Sequence, residues 1–91
     1  MKTVEKVVEI DKEVIEYVEN MVKDGDYIEA YVGRCHLEGT VLCKDGTFFR
    51  LDSDHDMIGV VEFELEKVIN DLIELVHIDN ENNVKTIIRL F

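Results

Sequence analysis

The side chains in this sequence with the chemistry to ligate a soft metal or attack a carbonyl are Cys35, His36, Cys43, His55 and His77. Structural zinc usually draws on paired ligands at Cys-x-x-Cys-like spacing. Here Cys35 and His36 are adjacent, so in a strand they face opposite ways, and Cys43 follows only after a long gap. The same parity separates Cys35 from His36 as a thiol and its base. Cys35 and Cys43 share strand parity with Leu37 and Val41, which predicts two small buried hydrophobes with free thiols. The sequence has no glycine loop that would cradle a phosphate and no nucleophile elbow. These residues therefore predict no metal site, no cofactor and no catalytic machinery.

Asp52, Asp54 and Asp56 imitate the opening of a calcium loop. Such a loop needs glycine at its sixth position and a bidentate glutamate at its twelfth. Met57 and Phe63 stand there instead, so the run reads as a solvated acidic turn. One cluster then remains as a binding candidate. Tyr27, Tyr31, Arg34 and His36 combine aromatic faces with basic groups, and on an exposed sheet they could stack bases or grip a peptide. Glu29 and Glu38 lie among them and argue against nucleic acid.

The net charge of −11 points the same way, because non-specific binding to nucleic acid runs on phosphate neutralisation. It equally disfavours an anionic membrane surface. No run of apolar residues is long enough to span a bilayer. Lys2 and Lys6 are interspersed with Glu5, Glu9 and Asp11, which is not the pattern of a signal peptide. Together with the free cysteines this predicts a cytoplasmic protein. A chain of 91 residues is expected to form one domain, 1–91, with a modest core.

The elements that must position these residues follow from hydrophobic periodicity. Residues 3–10 read as a strand, with one long helix capped by Thr3 as the alternative. Asp11 reads as the N-cap of a helix over 11–24, whose apolar stripe is Val14, Ile15, Val18, Met21 and Val22. Gly25 is expected to end it. Residues 26–32 alternate Tyr27, Glu29 and Tyr31 against Ile28, Ala30 and Val32, which defines a strand with one core face. Cys35 to Cys43 alternates again, and Gly39 stands where a strongly curved strand needs a residue without a side chain. Lys44-Asp45-Gly46 is a hairpin signal leading to a strand over 47–51, with Phe48, Phe49 and Leu51 available for burial. Further strands are expected at 58–65, 73–78 and 84–91, with a short turn or 3₁₀ segment over 66–71 and a polar turn at 79–83. In fold class this is α+β: one amphipathic helix packed on a strongly bent antiparallel sheet, or a small barrel, of five to seven strands.

From Gly33 to Leu51, and notably in Leu37-Glu38-Gly39-Thr40-Val41, the pattern resembles the Sm-like and SH3-like small barrels. Those families carry an N-terminal helix, a strand, a glycine, a bent second strand with its own glycine, and a third strand. The resemblance implies an RNA- or ligand-binding barrel. The asparagine that Sm-like proteins use for base recognition has no match in Thr47-Phe48-Phe49-Arg50-Leu51, and their Arg-Gly signature is absent from Asp71-Leu72-Ile73-Glu74-Leu75. No RNA-site residue carries over. As a whole, through Asp24-Gly25-Asp26-Tyr27 and the segment from Glu62 to Ile78, the chain is similar to a family of short uncharacterised proteins from methanogenic archaea.

The functional expectation is a non-catalytic protein-interaction domain that binds a partner or itself, as a homodimer. Self-association is expected through the C-terminal segment Thr86-Ile87-Ile88-Arg89-Leu90-Phe91, a β-prone run with a single charge that a monomer would need to cover.

Overall fold

The computed structural model describes residues 1–53 and 59–90. Seven strands form one sheet: β1 (Lys2–Val8), β2 (Tyr27–Val32), β3 (Cys35–Asp45), β4 (Phe48–Asp52), β5 (Val60–Glu64), β6 (Leu72–Asp79) and β7 (Val84–Leu90). Helix α1 (Asp11–Met21) follows β1, and a short helix α2 (Leu65–Val68) runs into a 3₁₀ turn (Ile69–Asp71). The spatial order is β1-β7-β6-β2-β3-β4-β5.

This architecture corrects the expected fold class in three respects. The sheet is mixed, because β1 pairs with β7 in parallel while the other neighbours are antiparallel. Among the described residues strands dominate, with two short helices rather than a single one. Among the described residues β1 and β5 are the two ends of the sheet, with no pairing that closes it into a barrel. The physical reason is connectivity. After β1 the chain crosses over through α1 and enters the middle of the sheet at β2, so β1 is left to add to the far side of β7 (a parallel pair needs such a crossover).

Bending occurs where the glycine demands it. β3 pairs with β2 through Cys35–Thr40 and with β4 through Thr40–Asp45, so the strand turns from one neighbour to the next at Gly39–Thr40. A Cβ on Gly39 would stand 2.5 Å from the Asp52 carbonyl oxygen, a distance no side chain tolerates. A bulge between Val41 and Cys43 shifts the register against β4. It also undoes the expected burial of Cys43; Cys35, the first residue of β3, is exposed as well, and both thiols are free. The β3–β4 hairpin has Gly46 and Thr47 as its two loop residues, with positive φ at Gly46 alone, so the turn is of the Gly-first kind rather than an Asp-Gly turn.

Strand parity separates two faces. The inner face carries Ile28, Ala30, Val41, Phe49, Leu51, Leu75 and Ile88, and Val14, Val18 and Val22 from α1 and its C-terminal end complete the core. Of the predicted stripe Val14, Val18 and Val22 are core, whereas Ile15 is half-buried and Met21 is 50% exposed. The helix starts with Ile10 in the cap position and Asp11 inside the first turn, where its carboxylate meets the positive end of the dipole. It ends at Met21, and Gly25 belongs to the following turn. Strand β1 resolves the 3–10 alternatives in favour of a strand. The C-terminal strand β7 is no free edge: β6 lies on one side and β1 on the other. Ile88 is buried inward, so the expected route to self-association through that edge does not exist; Phe91 lies outside the described residues. Among the described residues no helix is long and apolar enough to cross a membrane.

Candidate functional site

The outer face of β2 and β3 gathers most of the predicted binding residues. Tyr31 and His36 are directly opposite across the β2–β3 ladder. Their rings stack with centroids 4.3 Å apart and planes within 4° of parallel. Tyr27 stands on the same face two alternations away, with Glu29 between. Its hydroxyl donates to Glu38 Oε2 at 3.0 Å and lies 3.4 Å from Glu29 Oε1. Burial, followed by that hydrogen bond to Glu38, pushes the Tyr27 phenol well above its ordinary pKa, so it remains a donor. Arg34 is not part of the cluster: it occupies the exposed Gly33–Arg34 turn between the strands.

Sequence reasoning treated Glu29 and Glu38 only as spoilers of an RNA site. In the folded chain they are direct cross-strand partners, and one ligand atom from each of Glu29, His36 and Glu38 falls within a group spanning no more than 4.8 Å. His36 Nε2 lies 3.6 Å from Glu38 Oε2. The signal that could have found this set is the hairpin register. Once Gly33-Arg34 is read as a two-residue turn, Glu29 must face Glu38 and Tyr31 must face His36.

Beside this cluster, toward the end of the sheet, lies a groove of about 440 Å³ lined by Val7, Tyr31, Gly33, Ile73, Glu74, Arg89 and Leu90. Tyr31 belongs to both. A register shift between Tyr31 and Val32 in the β2–β6 ladder leaves Ile73 without a cross-strand partner, 54% exposed at the rim. Val7 is 60% exposed opposite it. The guanidinium of Arg89 is held between Glu74 (3.0 Å) and Glu5 (3.3 Å), which leaves the apolar groove with an acidic rim.

A second polar constellation, absent from the sequence reading, lies on the inner face. His77 on β6 and Asp26 just before β2 are both almost fully buried, 2% and 3% exposed. His77 Nε2 is 2.7 Å from Asp26 Oδ2, and His77 Nδ1 is 2.7 Å from the Tyr17 hydroxyl on α1. Asp26 Oδ2 also accepts the Lys23 backbone N–H at 3.0 Å. A carboxylate only accepts, so His77 donates its Nε2 proton to Asp26, while Nδ1 pairs with the Tyr17 hydroxyl. Burial, with the charges of Asp79 and Asp26 adding to it, raises the Tyr17 phenol against a hydrogen bond with Thr86 that lowers it. The arrangement superficially parallels a nucleophile–histidine–aspartate relay, but its tyrosine is stabilised in the protonated form. Its chemistry is that of a clasp joining α1, the turn before β2, and β6. His55 and the residues Asp54 and Asp56 of the acidic run lie outside the described residues.

The chain matches the model of a family described as uncharacterised proteins conserved in archaea (DUF2097) over residues 4–88, and it belongs to that family. It is 44% identical over 73 residues to the uncharacterised protein MJ0540 of Methanocaldococcus jannaschii, covering 80% of this chain and 82% of that protein. No solved structure matches the chain.

Proposed function

We propose that this member of the DUF2097 family is a cytoplasmic, non-catalytic interaction domain whose partner is a second copy of itself, docked on the outer face of the sheet. The observation that carries the reading is the groove at the ends of β1, β7, β6 and β2. Its exposed walls are aliphatic at Val7 and Ile73, and its volume is about 440 Å³. A contiguous apolar surface with a polar rim is the usual mark of a binding site on a small soluble domain. Among the described residues strand β1 beside it is an edge strand, with no ladder partner on its outer side. A two-fold pairing would bring the same patch of both copies together, Val7 and Ile73 of one against those of the other.

The charge of −11 per chain opposes such a contact, so association must tighten as salt screens the repulsion. Sedimentation equilibrium at low and high salt tests this. A dimer strengthened by salt and lost in Ile73→Lys is the expected result. A monomer at high protein concentration in both buffers contradicts it.

A small apolar ligand is the second reading, supported by a groove volume inside the usual range of about 300–1,000 Å³ for small-molecule sites. An RNA ligand is disfavoured by Glu29, Glu38, Glu5 and Glu74 on the same face.

A further inference from the structure

We propose that Glu29, His36 and Glu38 form a binding site for one transition-series divalent cation of the zinc class, on the outer face of the β2–β3 hairpin. The inference goes beyond the self-association reading and does not depend on it.

The donor set is mixed: two carboxylate oxygens and one imidazole nitrogen whose ligand atoms lie within 4.8 Å of one another. Zinc binds carboxylate oxygen and imidazole nitrogen at about 2.0–2.2 Å, so two ligands of one ion stand at most about 4.4 Å apart. Small rotations of the glutamate side chains close the remaining gap. Imidazole in the set favours zinc, copper, iron or nickel over magnesium and calcium, which prefer all-oxygen sites.

The backbone supplies an observation independent of side-chain proximity. Glu29 and Glu38 are directly paired in the β2–β3 register. Like charges directly opposite one another destabilise a sheet, and this pair lies inside a regular ladder rather than at a fraying end. A cation between them converts that repulsion into attraction.

The imidazole is fixed for the task as well. Stacking on Tyr31 at 4.3 Å and 4° sets the plane of the His36 ring, with Nε2 on the Glu38 side, 3.6 Å from Oε2. The Tyr27 hydroxyl, 3.0 Å from the same Oε2, acts as an outer partner that orients the carboxylate, as the second shell of a metal site does. His36 is exposed and the two glutamates are half-buried, so the positions not filled by protein are open to water. All three ligands sit on paired strands rather than on a loop, which limits the entropy lost on binding.

Isothermal titration of the full chain with Zn²⁺, and in parallel with Mg²⁺, tests the site. One Zn²⁺ per chain is expected, with no Mg²⁺ binding at the same concentrations. His36→Ala and Glu38→Gln should each abolish it, and Tyr27→Phe should weaken it on the order of tenfold. Far-UV circular dichroism confirms that these surface variants remain folded. The exposed thiols are a competing source of zinc affinity, so the double variant Cys35→Ser, Cys43→Ser must retain the site. Co²⁺ bound to the wild-type chain should show no thiolate charge-transfer absorption. Failure to bind Zn²⁺, undiminished binding in His36→Ala, or loss of binding in the cysteine double variant would each overturn the proposal.

Discussion

Two histidines stand on opposite faces of the same sheet and serve opposite purposes. His77, on the inner face of β6, has both ring nitrogens engaged, by Asp26 and by Tyr17, and is sealed from water. His36, on the outer face of β3, stacks flat on Tyr31 and keeps Nε2 3.6 Å from the Glu38 carboxylate, beyond hydrogen-bond distance. The first fastens three separate segments, α1, the 22–26 turn and β6, into one unit. The second is positioned but not consumed. Neighbouring residue types do not decide the difference, since both histidines have a tyrosine and acidic groups close by. Strand parity decides it, by choosing which of two similar constellations is desolvated. Desolvation turns a polar group into a structural obligation, because a buried partner left alone costs the full penalty of its burial.

The contrast can be broken most directly by removing each ring. His77→Ala strands the Asp26 carboxylate in the core and should lower stability by about 3–5 kcal/mol in a denaturant titration. His36→Ala removes an exposed side chain and should change it by no more than about 0.5 kcal/mol. Equal losses would erase the distinction between the two faces.

A smaller effect is expected at the bend that keeps both faces in register. Gly39→Ala drives a Cβ to 2.5 Å from the Asp52 backbone oxygen, where no flexible side chain can yield. Overpacking of this kind typically costs about 1–3 kcal/mol, and the melting temperature should fall accordingly. A neutral substitution would mean that β3 and β4 separate at Asp52 without penalty.

The smallest effect is confined to the turn after β6, at the far end from the groove. The side-chain and backbone amides of Asn82, with the Glu81 amide and the Lys23 ammonium also contributing, lower the Asp79 carboxyl to about 2. A carboxyl depressed on folding stabilises the folded state fully above its unfolded value near 4, and that contribution is lost as pH falls toward 2. Amide exchange at Glu81 and Asn82, at a fixed temperature and corrected for intrinsic rates, should therefore lose protection below about pH 4. Asp79→Asn should remove this pH dependence. Unchanged protection in the wild type down to pH 2 would contradict the assignment.

Local periodicity made the strands, the α1 stripe and the Gly39 bend legible, because each is written in neighbouring residues. Val14, Val18, Phe49 and Leu51 lie in the core as their spacing requires. What local pattern could not carry was strand order. That β1 adds in parallel to β7 depends on a crossover, and it turned an expected free edge into an interior strand. One bulge had a similar effect on Cys43, since a single extra residue cancels a parity argument. Of the four residues named as a binding cluster, Tyr27, Tyr31 and His36 share a face and Arg34 does not join them. The Asp26–His77–Tyr17 clasp was invisible because its members are far apart in the chain, and a histidine at core parity does not reveal its partners.

The central claim is that the outer face makes contacts with another copy while the inner clasp only holds the fold. Amide chemical shifts recorded over a dilution series in high salt test it residue by residue. The account predicts concentration-dependent shifts at Val7, Ile73 and Leu90, with Tyr17, Asp26 and His77 unmoved. Shifts centred on the clasp, or none anywhere at the highest concentration, would contradict it.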